Sequence, residues 1–332
     1  MSANKSFFQL INERKEALWA PCIWDCMSAR VAEATGFEAA TISSSEMRDA
    51  LTGGRMRGLL SMDEMLFACE RIAKSTGMAV FADTESGGAN PMDTYKNIKR
   101  FAEAGIMAVN IEDEAAVRVG TTVIDGQCFL SAEQWAMHVQ AAVEAVKGTD
   151  CMVIARTNCK GGGAKKFAGG YFGIKPEDML GLDEAIRRAQ LGIKVGAHMT
   201  MIQSINAYTE RESWKKIHDL VPGWMCYPDM HADDGISDVE DVQELYDLGF
   251  QLVTCHCFSK GAIGGMMEYG KRVFHDKNTV FTETDNYLGA DPETLKKYRS
   301  LSVGKDYKEV DAKLEKSFKE IQNFKMSTEK VR

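Results

Sequence analysis

The sequence predicts an α/β fold, a (β/α)8 barrel with a C-terminal helical extension, on three observations. Short apolar runs alternate with amphipathic helical stretches through most of the 332 residues, the pattern of repeated βα units around a parallel sheet. Eight such runs occur, the number a closed barrel needs. No GxGxxG opens an early helix, so an open doubly wound sheet, the competing architecture, has less support.

The strands are expected at residues 20–24 (APCIW), 39–43 (AATIS), 78–82 (MAVFA), 107–111 (MAVNI), 151–155 (CMVIA), 198–203 (HMTMIQ), 224–228 (WMCYP) and 251–255 (QLVTC). Between them the spacing of apolar residues predicts helices that include 28–35, 62–75, 92–104, 132–147, 182–194 and 237–247. A glycine follows many of these helices, in GFEAA, GMAVF, GIMAV, GAHMT and LGFQL, where a left-handed residue would turn the chain into the next strand. Residues 159–180, CKGGGAKKFAGGYFGIKPEDML, form a Gly- and Lys-rich insertion after the fifth strand, read as a substrate-covering loop or a tolerated surface insertion. The division expected is a catalytic barrel over 1–287 and a helical extension over 288–332, assigned to packing on a neighbouring subunit or to a solvated tail.

Forty Lys and Arg against 48 Asp and Glu give a formal charge of −8, which argues against a nucleic acid or an anionic membrane as partner. A small anionic substrate stays compatible, because a few arginines and a metal can reverse the sign locally. The nine cysteines have neither disulfide-framework nor zinc-ribbon spacing, which suits a reducing compartment; Cys22 and Cys26, four apart, and Cys255 and Cys257, two apart, read as buried small hydrophobes in preference to metal ligands. The start, MSANKSFFQLINERKEALWAP, lacks the apolar core of a secretory leader, and a cytoplasmic location is the expectation.

Barrel chemistry belongs at the C-terminal ends of the strands. That rule selects Trp24 and Asp25, Ser43, Ser44 and Ser45, Asp83 and Glu85, Glu112 and Asp113, and Arg156 after the first five strands in turn. Asp83, Glu85 and Glu112 are hard oxygen ligands suited to Mg2+, with Mn2+ as substitute; capping of the following helices is the other reading, and it suits Asp25 and Asp113 better. The three serines would offer hydroxyls and backbone N–H groups to a carboxylate or phosphonate at a helix N-terminus. Arg156, alone in the apolar run VIARTN, needs an anionic partner, either a bound substrate or the carboxylates themselves. His256 at the end of the last strand reads as a pocket residue or as a hydrogen-bonded structural histidine, and His231, beside Asp229, Asp233 and Asp234 after the seventh strand, as a site candidate or equally as part of a polar loop.

These runs resemble the isocitrate lyase/phosphoenolpyruvate mutase superfamily. WDCMSARVAEATGFEAATISSS is similar to its opening D-x-x-S-A-R helix and Ser-ended strand, FADTESGGAN to its metal loop, AGIMAVNIEDE to its A-G-V…E-D strand, VIARTN to its I-A-R-T, and GLDEAIRRA to the helix that follows. The likeness covers about residues 15–270, with the motifs in the family's order. It implies a Mg2+-dependent enzyme acting on 2-oxo or 2-hydroxy di- and tricarboxylic acids or phosphonates; a homo-oligomer, dimer or tetramer, is a separate expectation. Asp83, Glu85 and Glu112 then fall at metal positions and Arg156 with Ser43–Ser45 at substrate positions, to which the strand ends add Trp24 and Gln203 as substrate-binding candidates.

The departures bear on the reaction. The lyases' K-K-C-G-H loop is replaced by EDEAAVRVGTTVIDGQ, with Arg118 near the position of a mutase loop lysine and Thr121 or Thr122 beside it. Glu85 replaces a second Asp, Gln203 a Glu or His, and Thr41 a Trp, and Arg55-Met56-Arg57 replaces the P-D-x-G turn. Three functions follow as hypotheses. The leading one is a carbon–carbon lyase of 2-hydroxy- or 2-oxo-dicarboxylates, with Asp83, Glu112, Arg118 and Arg156 as catalytic candidates. The others are a P–C mutase or hydrolase, and a non-catalytic carboxylate-binding barrel.

Overall fold

The computed structural model describes residues 5–54, 58–114, 118–119, 122–123, 129–161, 178–205, 210–228, 241–280, 289–301 and 305–323. The strands are β1 (Leu18–Ile23), β2 (Ala39–Ile42), β3 (Ala79–Ala82), β4 (Ala108–Glu112), β5 (Arg118–Val119), β6 (Thr122–Val123), β7 (Met152–Thr157), β8 (Met199–Ile202), β9 (Trp224–Tyr227) and β10 (Leu252–Cys255). Eight of them form a closed parallel barrel in the order β1-β10-β9-β8-β7-β4-β3-β2, while β5 and β6 make a separate antiparallel pair. Closure is made by β10 lying beside β1, in register from Leu18↔Leu252 to Pro21↔Cys255. The eight predicted strands are therefore the eight barrel strands, with ends shifted by no more than two residues.

Strand alternation divides the core. Leu18, Ala20, Phe81, Ala108, Ile154, Met199 and Leu252 fill the barrel interior, whereas Ile23, Val80, Val109 and Val153 face the helical layer. The N-terminal mouth is closed by α1 (Phe7–Asn12), whose Phe7, Leu10 and Ile11 join the interior cluster. This helix is an addition to the sequence reading; a capping box between Ser6 and Gln9 starts it, and its i, i+3, i+4 apolar face holds it.

The surrounding helices are α2 (Cys26–Thr35), α3 (Ser44–Thr52), α4 (Met62–Ser75), α5 (Pro91–Glu103), α6 (Ala132–Ala145), α7 (Leu182–Lys194), α8 (Arg211–Leu220), α9 (Val242–Asp247) and α10 (Cys257–Asp276). Gly36, Gly105, Gly196 and Gly249 adopt left-handed conformations at the predicted helix-to-strand turns. Gly77 does not; the extended Thr76 ends α4, and its hydroxyl donates to Glu33. Of the four cysteines read as buried, Cys22 and Cys255 are, while Cys257 is exposed and Cys26 half-buried.

Two helices follow, α11 (Pro292–Ser300) and α12 (Lys305–Gln322). α11 packs on the chain's own α2: Leu295 is buried, and the Arg30 guanidinium donates to the Tyr298 hydroxyl at 3.2 Å. α12 leaves Tyr307, Leu314, Phe318 and Ile321 exposed, and none of the 20 residues of α10 is buried. Among the described residues no helix is long and apolar enough to cross a membrane. Residues 162–177 of the predicted insertion lie outside the described residues.

Candidate active site

Polar side chains converge at the C-terminal ends of β2, β3, β4 and β7. Ser43 caps α3, accepting from the Glu46 backbone N–H at 3.2 Å, and its hydroxyl lies 3.1 Å from that of Ser45. Helix geometry then turns Ser44 toward the next strand, where its hydroxyl donates to Asp83 Oδ2 at 2.8 Å. The other oxygen, Asp83 Oδ1, accepts from Asn110 Nδ2 at 2.9 Å and from the Glu85 N–H at 3.4 Å. Asp83 thus has both oxygens oriented from three elements.

The loop after β3 is tightly folded. Glu85 holds a left-handed φ of 52°, and its carboxylate pairs with Arg48 of α3. At Gly87, φ is 78° and a Cβ would lie 2.8 Å from Thr94 Cγ2, so both conformation and space require glycine. The predicted trio of acidic residues is therefore split: Asp83 and Glu112 converge, while the Glu85 side chain is engaged by Arg48.

Glu112 and Arg156 are direct lateral partners in the β4–β7 register. Arg156 Nη1 lies 3.0 Å from Glu112 Oε1 and 3.8 Å from Asp83 Oδ1, and its Nε donates to Asn158 Oδ1 at 3.0 Å. Of the two partners left open for Arg156 by the sequence, the structure shows the carboxylates. Asn158 Nδ2 donates to Glu112 Oε2 at 3.0 Å and Glu114 Oε1 at 2.8 Å. Asn110, Asn158 and Glu114 were missed in the sequence reading; the findable signal was Asn110, a polar residue inside the apolar run AVNI.

Asp113 corrects the capping expectation. It is fully buried, paired with Arg188 at 3.1 Å, and accepts from Thr157 Oγ1 at 2.5 Å and the Asn158 N–H at 2.8 Å. Burial pushes its pKa up, against the opposing pull of Arg188. Asp113 therefore anchors the β7 end that carries Asn158, whereas Asp25 does cap α2 as expected. Cys159, beside Asp113, is pushed up to about 12 by burial, which removes it as a thiolate near neutral pH.

Trp24 is half-buried against the helical-layer core, and half-buried Gln203 donates its backbone N–H to Thr157 O at 2.9 Å. Thr41 is buried and donates to Ala20 O. The side chains of Arg118 and Thr122, and all of Arg55, Arg57, Thr121, His231, Asp229, Asp233 and Asp234, lie outside the described residues. His256 is hydrogen-bonded, its Nδ1 2.9 Å from Glu46 Oε1.

A Mg2+ ion, which the resemblance implies, can be tested against this donor set. Asp83 and Glu112 present hard carboxylate oxygens around one guanidinium nitrogen, and Asp83 is 17% exposed toward the mouth while Glu112 is 1% exposed. Such a set suits an ion that takes one or two carboxylates and retains waters. The residues fit.

Comparison with known proteins agrees with the fold. A family model described as phosphoenolpyruvate phosphomutase matches residues 7–268. The petal death protein of Dianthus caryophyllus is 25% identical over 92% of this chain and 87% of its own. The 2,3-dimethylmalate lyase of Eubacterium barkeri is 25% identical over 63% of this chain and 65% of its own. Among solved structures, an oxaloacetate acetylhydrolase in complex with 3,3-difluorooxalacetate superposes with a TM-score of 0.74 at 18% identity, covering 94% of this chain and 97% of that one. A phosphonopyruvate hydrolase complexed with oxalate and Mg2+ gives 0.71 at 19% identity, covering 90% and 96%. At these identities the structural likeness shows the barrel fold.

Proposed function

The chain belongs to the phosphoenolpyruvate phosphomutase family, and from that membership we propose that it is a Mg2+-dependent carbon–carbon lyase of small 2-hydroxy- or 2-oxo-dicarboxylates. The observation that carries the reading is the seating of Arg156 Nη1 between Asp83 and Glu112 at the C-terminal mouth of the barrel. Asp83 and Glu112 would hold the ion; Glu85 enters the ligand set only by giving up Arg48. When bound, Mg2+ supplies electrophilic stabilisation to an oxyanion that develops as the bond breaks.

The protein's own groups divide the remaining work. Ser44 and Asn110 fix both oxygens of Asp83, and Asn158 fixes Glu112, so the acidic pair is oriented before substrate arrives. Arg156, held by Asn158, offers a guanidinium to the substrate carboxylate or enolate, a charge-assisted contact that does not titrate near neutral pH. The backbone N–H groups at the start of α3, with Ser45 half-buried beside them, suit a second anionic group of a dicarboxylate. The Arg118 and Gln203 roles expected from the resemblance belong to the same proposal. Homo-oligomer formation is supported by the exposed apolar residues Met266, Met267 and Phe274 of α10 and Phe318 and Ile321 of α12.

The test is incubation of the Mg2+-loaded protein with malate, citrate and isocitrate derivatives and oxaloacetate, following keto-acid release by NMR. Release from one of them, lost in R156Q, supports the reading. No release, with a changed phosphorus spectrum on phosphonopyruvate, transfers the chemistry to a P–C bond. Ligand-induced thermal stabilisation without turnover identifies a binding barrel.

A further inference from the structure

A second constellation sits where the barrel closes. Cys22 lies at the C-terminal end of β1, Glu46 in the first turn of α3, and His256 directly after β10, so three separate elements meet at the β1–β10 seam. One donor atom from each, a thiol sulfur, a carboxylate oxygen and an imidazole nitrogen, lie within 4.8 Å of one another. Cys22 and Glu46 are buried, and the His256 side chain is 25% exposed.

The geometry is that of a cation site with mixed S, N and O donors. Cys22 Sγ lies 3.8 Å from His256 Nε2, within the reach of a sulfur–nitrogen hydrogen bond. A tetrahedral zinc ion sets roughly 3.6 Å between thiolate sulfur and imidazole nitrogen, a spacing that the 4.8 Å cluster reaches by contraction. Glu46 Oε1 lies 2.9 Å from His256 Nδ1, near the roughly 3.3 Å edge that a tetrahedral ion sets between a carboxylate oxygen and an imidazole nitrogen, so Nδ1 is the ring atom placed to share an ion with Glu46. Its second oxygen, Oε2, is buried and has no hydrogen-bond partner among the described residues, a cost that ligation would remove.

We propose that Cys22, Glu46 and His256 form a binding site for a divalent transition metal, Zn2+ as its natural occupant, separate from the Asp83–Glu112 carboxylates. The donor set selects the ion. A thiolate and an imidazole favour zinc-like cations, while Mg2+ takes oxygen ligands. Three protein ligands leave a fourth position for water, and the triangle contracts by about 1 Å to reach tetrahedral edges. Binding ties β1, the turn after β2 and the end of β10 together, and therefore stabilises barrel closure. The site stands independently of the lyase reading, because neither its residues nor its test involve turnover.

The test uses the full chain, stripped with chelator and titrated with Co2+ in excess Mg2+, so that the oxygen site is already filled. The expected result is a thiolate-to-cobalt charge-transfer band in the near ultraviolet that saturates at one equivalent, with a rise in Tm, and that Zn2+ abolishes by displacement. C22S should lose the band, and E46Q and H256Q should each weaken Co2+ binding by about tenfold or more. D83N should keep it. An octahedral cobalt spectrum without the thiolate band overturns the proposal, as does a band that survives C22S unchanged. Should C22S fail to fold, H256Q decides, since its ring is part-exposed: unchanged cobalt affinity overturns the site, and a tenfold loss supports it.

Discussion

Replacing Arg156 by Gln removes the cation that faces two carboxylates. Glu112 is 1% exposed, with its Oε1 3.0 Å from the guanidinium, and the Asp83 contact at 3.8 Å is weaker. Deleting one partner of a buried pair costs about 3–5 kcal/mol, and the 13% exposure of Arg156 places the loss near 3 kcal/mol. For a chain of this size each kcal/mol lowers Tm by about 1.5 °C, so R156Q in EDTA should melt about 4 °C below the parent. Removing the stranded charge as well should rescue the fold: E112Q/R156Q is expected to regain most of the loss. Mg2+ at one hundred times the parent's Kd adds about 2.7 kcal/mol to the parent, and at that same concentration the gain should be larger in R156Q, where no guanidinium competes for the carboxylates. Thermal melts of the four proteins of the cycle, with and without Mg2+, measure each quantity. An R156Q protein as stable as the parent in EDTA, or a double variant no better than R156Q, would refute the reasoning.

Three further outcomes follow from other parts of the structure. D83N should lower turnover by about two orders of magnitude or more, whereas E85Q, whose carboxylate is engaged by Arg48, should cost less; steady-state kinetics with equal losses would contradict the split. A Cβ on Gly192 would lie 2.6 Å from that of Ala155, where α7 packs on β7, so G192A should destabilise by about 1–3 kcal/mol, and an unchanged denaturation midpoint would show the contact to be slack. Burial lowers the pKa of His138 and His198 below the ordinary histidine value. The folded state then binds fewer protons than the unfolded chain, so this stability is complete above about pH 6.5 and falls as pH drops from there toward the lower folded values. Tm should decline between pH 7 and 5.5, less steeply in H198Q, and a flat profile would count against the assignment.

The barrel was legible because its signals are local. Periodicity placed α4 and α7 to the residue, and the apolar runs placed all eight strands. Errors fall where local and tertiary signals diverge. Gly77 looked like a helix cap by analogy with four others, yet Thr76 can bond to Glu33, 43 residues away, and no left-handed residue is needed. α1 begins beside charged residues, and its three apolar side chains acquire meaning only when the barrel floor is there to receive them.

The site was legible as a set of residues and illegible as a set of pairs, for a reason that lies in strand register. Adjacent strands β4 and β7 are separated by 39 residues of chain, with a hairpin and a helix between them. Sequence periodicity says that Glu112 and Arg156 each end a strand, but only the register that also matches Ala108 with Met152 puts the two side by side. A slip of one residue would turn either side chain to the opposite face. The same geometry explains why Asp113, next in sequence to Glu112, has a different role: alternation sends it outward to Arg188 on α7 while Glu112 faces inward. It also explains why His256 found its partners on β1 and α3, which no spacing in the sequence relates to it. Closing a barrel makes the first and last strands neighbours, and Cys22, Glu46 and His256 meet as a consequence of that closure. A metal bound there would report on the closed state of the seam, which makes cobalt affinity and barrel stability two readings of one equilibrium.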